Sequence, residues 1–156
     1  YFLCRKITSN ERLALLKAVS EKFHLKLYTH HPVKEIPNAE YIGPVDYYDT
    51  MPLVFQNSRI NVNITLKSIQ TGIPLRCMDI MGSGSFLLSN FQSDFLDYFI
   101  PGEDFVYYES ADDFLSKISY YLSHETERKQ ITVNCTEKMR DAHTFEHRVH
   151  NILNTL

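Results

Sequence analysis

Arg76 and Asp79 are the two charged residues in a short apolar run, Leu75-Arg76-Cys77-Met78-Asp79-Ile80-Met81, that follows Gly72-Ile73-Pro74. Three positions apart on a helix, they share a face. The helix dipole opposes a cation in the first turn unless an anion is near. A diphosphate would be such an anion, and a guanidinium matches phosphate oxygens well. A helix start also offers unpaired N–H groups to phosphate, so the Gly72 to Arg76 stretch could face one. A carboxylate one turn further in, at Asp79, could accept hydrogen bonds from two ribose hydroxyls. The plainer alternatives are a solvated helix acid at Asp79 and an ion pair between Arg76 and Asp79.

Other groupings point less clearly to chemistry. Gly82-Ser83-Gly84 ends a helix rather than opening one, so it reads as a stop signal and not as a dinucleotide fingerprint. His143, His147 and His150 have helical spacing, but Thr144 follows the first where a catalytic zinc motif has Glu, so no metal site is expected. The tyrosine pairs 47–48, 107–108 and 120–121 read as core and strand-edge packing. No nucleophile elbow, Walker loop or Cys–His pairing occurs, so any chemistry rests on binding and electrostatics.

These residues need a scaffold. Asn61 to Leu66 alternates as a strand, Gly72 and Pro74 break the chain, and Phe86-Leu87-Leu88 opens another strand. Ligands of open α/β sheets lie at such loop–helix junctions, outside the carboxyl ends of strands. Tyr1 to Cys4 reads as a first strand, and Thr8-Ser9-Asn10-Glu11 as a capping box starting a helix with Leu13, Leu16, Val19 and Phe23 on one face. His24 to Thr29, Tyr41-Ile42, Ile60 to Ile64, Ser85 to Ser89 and Phe105 to Tyr108 read as strands. Helices are expected over Tyr48 to Gln56, Leu75 to Met81 and Ser93 to Phe99. Three more follow: one capped at Ser110, one over Glu125 to Ala142, and one capped at Thr144 that carries Phe145, Val149, Ile152 and Leu153. Strands alternating with helices imply βαβ units, hence an α/β, doubly wound, mainly parallel sheet with the last two helices on one side.

Bulk properties narrow the classes. A chain of 156 residues, 44% hydrophobic, suits one domain, here 1–156. Net charge is −3 with no basic run, which disfavours nucleic acid. No apolar stretch reaches the ~20 residues of a membrane span. Three widely spaced cysteines read as reduced thiols of a cytosolic protein. The start at Tyr1, inside an apolar run and without Met, suggests an excised domain.

The segment NVNITLKSIQTGIPLRCMDIMGSGSFLLSN resembles the carboxyl-terminal, donor-binding domain of the spore-maturation (CgeB-type) glycosyltransferases, a bacterial group related to families 1 and 4. GPVDYYDTMPLVFQNSRINVN before it, PGEDFVYYESADDFLSKISYYLSHETERKQI after it, and HTFEHR near the end agree with that resemblance, which spans essentially the whole chain. The resemblance implies a GT-B fold, two Rossmann-like domains with the active site between them, of which this is the half that holds a nucleotide sugar. It implies a cytoplasmic sugar transferase with no resident cofactor and no metal requirement, an unknown acceptor, and an amino-terminal domain outside this chain. Many related enzymes carry two glutamates eight positions apart, the second on ribose and the first near the sugar. Asp79 falls at the second position and Thr71 at the first, so the ribose role transfers and the sugar-side acid does not. The resemblance also places Gly43 and Val45 against the base, and the N–H groups of Gly72, Ile73 and Leu75 near the diphosphate or sugar. Arg76 becomes the catalytic cation that stabilises the leaving diphosphate, with Lys6 and Lys67, on loops after strands, as secondary cations. A non-catalytic nucleotide-binding or interaction module of the same fold remains the alternative, because fold alone does not fix function.

Overall fold

The computed structural model describes residues 2–154. The chain opens with a long helix, α1 (Phe2–Lys22), followed by β1 (Lys26–Leu27) and β2 (Glu40–Tyr41). Then come α2 (Met51–Gln56), β3 (Asn61–Asn63), α3 (Leu75–Gly82) and β4 (Leu87–Asn90). A 3-10 turn (Ser93–Asp97) leads to β5 (Val106–Tyr108), and α4 (Ala111–Ser123), α5 (Glu125–Ala142) and α6 (Phe145–Leu153) complete the chain. Every strand pair among the described residues is parallel, in the orders β1-β2 and β3-β4-β5. The parallel α/β class is therefore as the alternation implied. The expected single sheet is instead two sheets, one of two strands and one of three.

The amino-terminal reading is corrected. Phe2 to Cys4 belong to α1 and not to a strand, while Tyr1 lies outside the described residues. Leu3, Arg5 and Lys6 are good helix formers, and no Gly or Pro interrupts the run. The Thr8–Glu11 pair sits inside this helix and serves tertiary contacts instead of a cap. Thr8 Oγ1 accepts the Lys67 N–H at 3.1 Å, and Glu11 pairs with Lys67 Nζ at 2.8 Å. Lys6 accordingly stands on a helix rather than on a loop after a strand.

Two apolar clusters flank the three-stranded sheet. One joins Leu15 and Val19 of α1 to Leu88, Val106, Phe114 and Ile118. The other joins Phe55, Cys77, Ile80 and Met81 to Leu87, Phe95, Phe105, Cys135 and Met139. Successive strand residues point to opposite faces, so Leu87 and Leu88 feed different clusters. A strand covered on both faces is apolar throughout, as β4 begins. Ser110 caps α4 by accepting the Asp113 N–H, and Thr144 caps α6 by accepting the His147 N–H. The start of the 3-10 turn differs slightly from expectation: Gln92, not Ser93, occupies the cap position. The last two helices do not share one packed side. α5 packs on α3, whereas α6 buries none of its residues, and Phe145, Ile152 and Leu153 are exposed. No helix among the described residues is long and apolar enough to cross a membrane.

Candidate functional site

The carboxyl ends of β3 and β4 are locked by a buried polar network. Asn63 Nδ2 donates to Thr65 Oγ1 at 2.8 Å and to Ser89 Oγ at 3.0 Å. Thr65 in turn donates its N–H to Asn90 Oδ1 at 2.7 Å and its hydroxyl to Gln92 Oε1 at 3.1 Å. Buried polar groups that are fully paired fix geometry, because leaving any one unpaired is costly. This network sets where the 66–74 loop departs. Nothing in the alternating Asn61–Leu66 pattern distinguishes it from an ordinary strand end, so sequence reasoning missed it.

The loop turns at Gly72, whose φ of +88° suits glycine. The Gly72 N–H donates to Asp94 Oδ2 at 2.5 Å. A carboxylate therefore stands beside this loop, contributed by residue 94 rather than by residue 71. Asp94 is a site-adjacent acid that linear spacing could not reveal, since the 3-10 turn brings it in from 22 residues away. Pro74 then caps α3 in an extended conformation, and the first helical bonds run from Cys77 and Met78 back to Pro74. The N–H groups of Leu75 and Arg76 precede those bonds and have no helical acceptor. Leu75 itself is 78% exposed, while Ile73 packs against the second apolar cluster.

Cys77, Ile80 and Met81 point inward and fix the rotation of α3. That rotation leaves Arg76 exposed and Asp79 half-buried on the outer face. Burial pushes the Cys77 thiol from an ordinary 9.0 up to about 12, so it is a core group and not a nucleophile. Gly84, with φ of +73°, ends the helix as its Gly-Ser-Gly sequence implied.

Asp79 accepts a hydrogen bond from the Tyr47 hydroxyl at 2.7 Å. The carboxylate pushes the Tyr47 pKa up through that bond. Arg76 makes no ion pair with Asp79 among the described residues, so the simplest structural role for the two charges is not the one adopted. Tyr47 is held by an Asx turn, in which Asp46 Oδ1 accepts the N–H groups of Tyr48 at 2.9 Å and Asp49 at 2.8 Å. Tyr47 and Tyr48 meet edge to face at 5.1 Å and are 46% and 82% exposed. They are thus not the core pair expected, because the turn holds both rings out at the surface. Tyr108 and Tyr121 are buried as expected.

Two concavities adjoin α3. Asp79 lines a pocket of about 360 Å³ with Tyr47, Met51, Phe55, Met78 and Ser83. Arg76 lines a larger cavity of about 870 Å³ with Pro44, Val45 and Tyr28. Val45 and Arg76 therefore line one cavity, and Asp79 lies three residues further along α3. Gly43, with φ of +96°, shapes the turn before Pro44. Gly72, Ile73 and Leu75 line neither cavity. Lys67 is committed to Glu11. No three His, Cys, Asp or Glu side chains converge on a metal site among the described residues; His147 is instead bonded through Nδ1 to Thr144 at 2.6 Å. The arrangement offers a carboxylate beside a phenol and a cation at a helix start, suited to a polyhydroxylated, anionic ligand.

Comparison with known proteins agrees with the fold. The structure is similar to that titled "Crystal Structure of TarM", with a TM-score of 0.70 and 15% identity over 93% of this chain and 31% of that one. It is also similar to the C-terminal domain of a glycosyl transferase group 1 family protein (LpcC) from Francisella tularensis, with a TM-score of 0.57 and 16% identity over 70% of this chain and 56% of that one. The chain thus spans about a third of the first and just over half of the second. The α/β fold with parallel sheets matches these GT-B neighbours. No curated protein sequence matches the chain. The sequence matches the glycosyl transferase-like family over residues 6–154, nearly its whole length, and the chain belongs to that family.

Proposed function

We propose that this chain is the donor-binding domain of a cytosolic, CgeB-like glycosyltransferase and holds a nucleotide-diphosphate sugar for transfer to an acceptor. The observation that carries the reading is the outer face of α3. There Asp79 is presented by a helix whose opposite face is anchored in the core, and one of its carboxylate oxygens accepts the Tyr47 hydroxyl. Such a carboxylate retains capacity for ribose hydroxyls. Arg76, with the free N–H groups at the start of α3, would stabilise the diphosphate as it leaves. Gly43 and Val45 would border the base, and Gly72, Ile73 and Leu75 the diphosphate or sugar. Charge on the leaving group would be met by helix N–H groups and a guanidinium, without a bound metal. The acceptor and any base acting on it would lie with an amino-terminal domain.

The test is calorimetric titration of nucleosides, nucleoside diphosphates and nucleotide sugars without added metal, alongside transfer assays with the full-length protein. A diphosphate preference that disappears in Arg76→Ala is expected. Binding of nucleotides with no transfer from any donor by the full-length protein would favour a non-catalytic module, the reading to which Thr71 lends some weight. No binding at all would overturn the proposal.

A further inference from the structure

The HTFEHR segment, His143 to Arg148, makes the corner between α5 and α6, and none of its residues is assigned to the donor. Its own side chains tie the corner twice. Thr144 Oγ1 accepts the His147 N–H at 3.3 Å and is bonded to His147 Nδ1 at 2.6 Å. Arg148 Nη2 donates to His143 Nδ1 at 2.9 Å. The two ties respond differently to a proton. A hydroxyl donates or accepts, so the Thr144–His147 bond survives either charge state of His147. A guanidinium only donates, so the Arg148–His143 bond exists only while His143 Nδ1 carries no proton. His143 is therefore the neutral Nε2–H tautomer in this arrangement.

The same two side chains fasten α6 to the body of the domain. The His143 ring lies against Phe99, with centroids 5.0 Å apart, and meets Tyr98 edge to face at 5.5 Å. The Arg148 guanidinium sits over the Tyr98 ring at 5.3 Å, a cation–π contact. Tyr98 and Phe99 follow directly on the 3-10 turn, and Phe99 is buried in the second apolar cluster. α6 buries none of its residues, so its position depends on contacts of this kind and not on a buried face.

An imidazolium carries a proton on Nδ1, which removes the acceptor that Arg148 uses and sets one cation against another. The charged groups acting on His143 are Arg148 and His147 on α6 and Lys138 on α5, all cations or able to become so. The nearby acids are taken up, Asp104 by Lys138 and Asp141 by Arg140, and Tyr98 and Phe99 bring uncharged rings. Burial first, then these cations, hold the His143 pKa below its ordinary 6.5. The closed corner thus takes up a proton less readily than an open one. Above 6.5 both forms are neutral and the corner is at full strength. Below that value the open form is protonated first, and the closed form loses stability as pH falls. We propose that His143, Arg148 and Tyr98 form a pH-sensitive latch, which seats α6 while His143 is neutral and frees it when Nδ1 gains a proton. α6 carries Phe145, Val149 and Ile152 on one exposed stripe, so its release re-aims an apolar surface. This does not depend on the ligand reading of Asp79 and Arg76.

Histidine-selective NMR and amide hydrogen exchange on the full-length protein test it. At neutral pH His143 is expected as the Nε2–H tautomer, titrating below the ordinary 6.5. Protection factors of the α6 amides, corrected for the intrinsic pH dependence of exchange, should fall about fivefold between about pH 7.5 and about pH 5.5, within the roughly tenfold per pH unit that one proton allows. Those of α4 should not follow. His143→Gln keeps an acceptor for Arg148 at every pH and should abolish the fall. Arg148→Gln should raise the His143 pKa toward 6.5, which a merely structural Arg148 would not do, and should leave α6 equally loose at both ends of the range. Protection of α6 that ignores pH in the parent would overturn the proposal. So would an unchanged response in His143→Gln, which would move the switch to His147 or His150. An Arg148→Gln variant in which the His143 pKa stays where it was would overturn it too.

Discussion

Asp79 is the residue with the sharpest consequences. Its proposed ribose role predicts that Asp79→Ala weakens nucleotide binding by about 1.5–3 kcal/mol, the range for hydrogen bonds to a charged group. Folding should be unchanged, because the side chain lies on the outer face of α3. Titration calorimetry beside a melting curve checks both parts, and equal affinity in mutant and parent would end the ribose assignment. Tyr47→Phe removes the phenol that now occupies one carboxylate oxygen. If that hydroxyl only fills a place that ribose takes, the variant should bind nucleotide at least as well as the parent. Arg76→Ala should lose affinity for the diphosphate and hardly any for the nucleoside, and the parent's diphosphate affinity should fall with salt. Equal losses for both ligands would make Arg76 an orienting residue of the helix.

The elements show which signals a linear sequence carries. α3, α4 and α5 were legible because their inward positions repeat with helical period and their ends carry Pro74, Ser110 and an extended polar run. β3, β4 and β5 were legible as short apolar runs between breakers. The start of the chain was not, because Phe2-Leu3-Cys4 is equally apolar in a strand or a helix. The Thr8–Glu11 spacing misled for a related reason: both residues make their bonds to Lys67, 59 and 56 positions away, and spacing along the chain cannot register that. Of the site, the helix bearing Arg76 and Asp79 was legible. Tyr47 and Asp94 were not, since each arrives from a separate element. Buried Asp104 makes an element-scale prediction. It accepts the Ile100 N–H at 2.8 Å and pairs with Lys138, tying the turn before β5 to α5. Lys138→Ala should cost about 2 kcal/mol, the scale of a charged hydrogen bond, and denaturant unfolding would measure it.

At the scale of the whole molecule, a transferase must hold donor and acceptor together, and much of its rate comes from that positioning. This chain spans about a third of TarM, and on the proposed reading it supplies the donor wall of the cleft. The isolated 156 residues should therefore bind a nucleotide sugar weakly and transfer nothing, while the full-length protein binds more tightly and turns over. Weak binding follows from missing contacts and from a cleft left open to water. Sugar release from a labelled donor, followed for both proteins in one assay, decides the matter. Robust turnover by the short chain would refute the half-site reading.

The burial of Cys77 turns α3 into its own reporter. The thiol is fully covered, and a reagent can reach it only when the helix lifts from the core. Its neighbours in sequence, Arg76 and Asp79, are the groups proposed to meet the donor. Labelling of Cys77 therefore times excursions of the element that would hold the ligand. A nucleotide bound only to the seated helix should slow that labelling about 100-fold at a concentration 100 times its dissociation constant. Cys135, buried on α5, serves as the control for global opening.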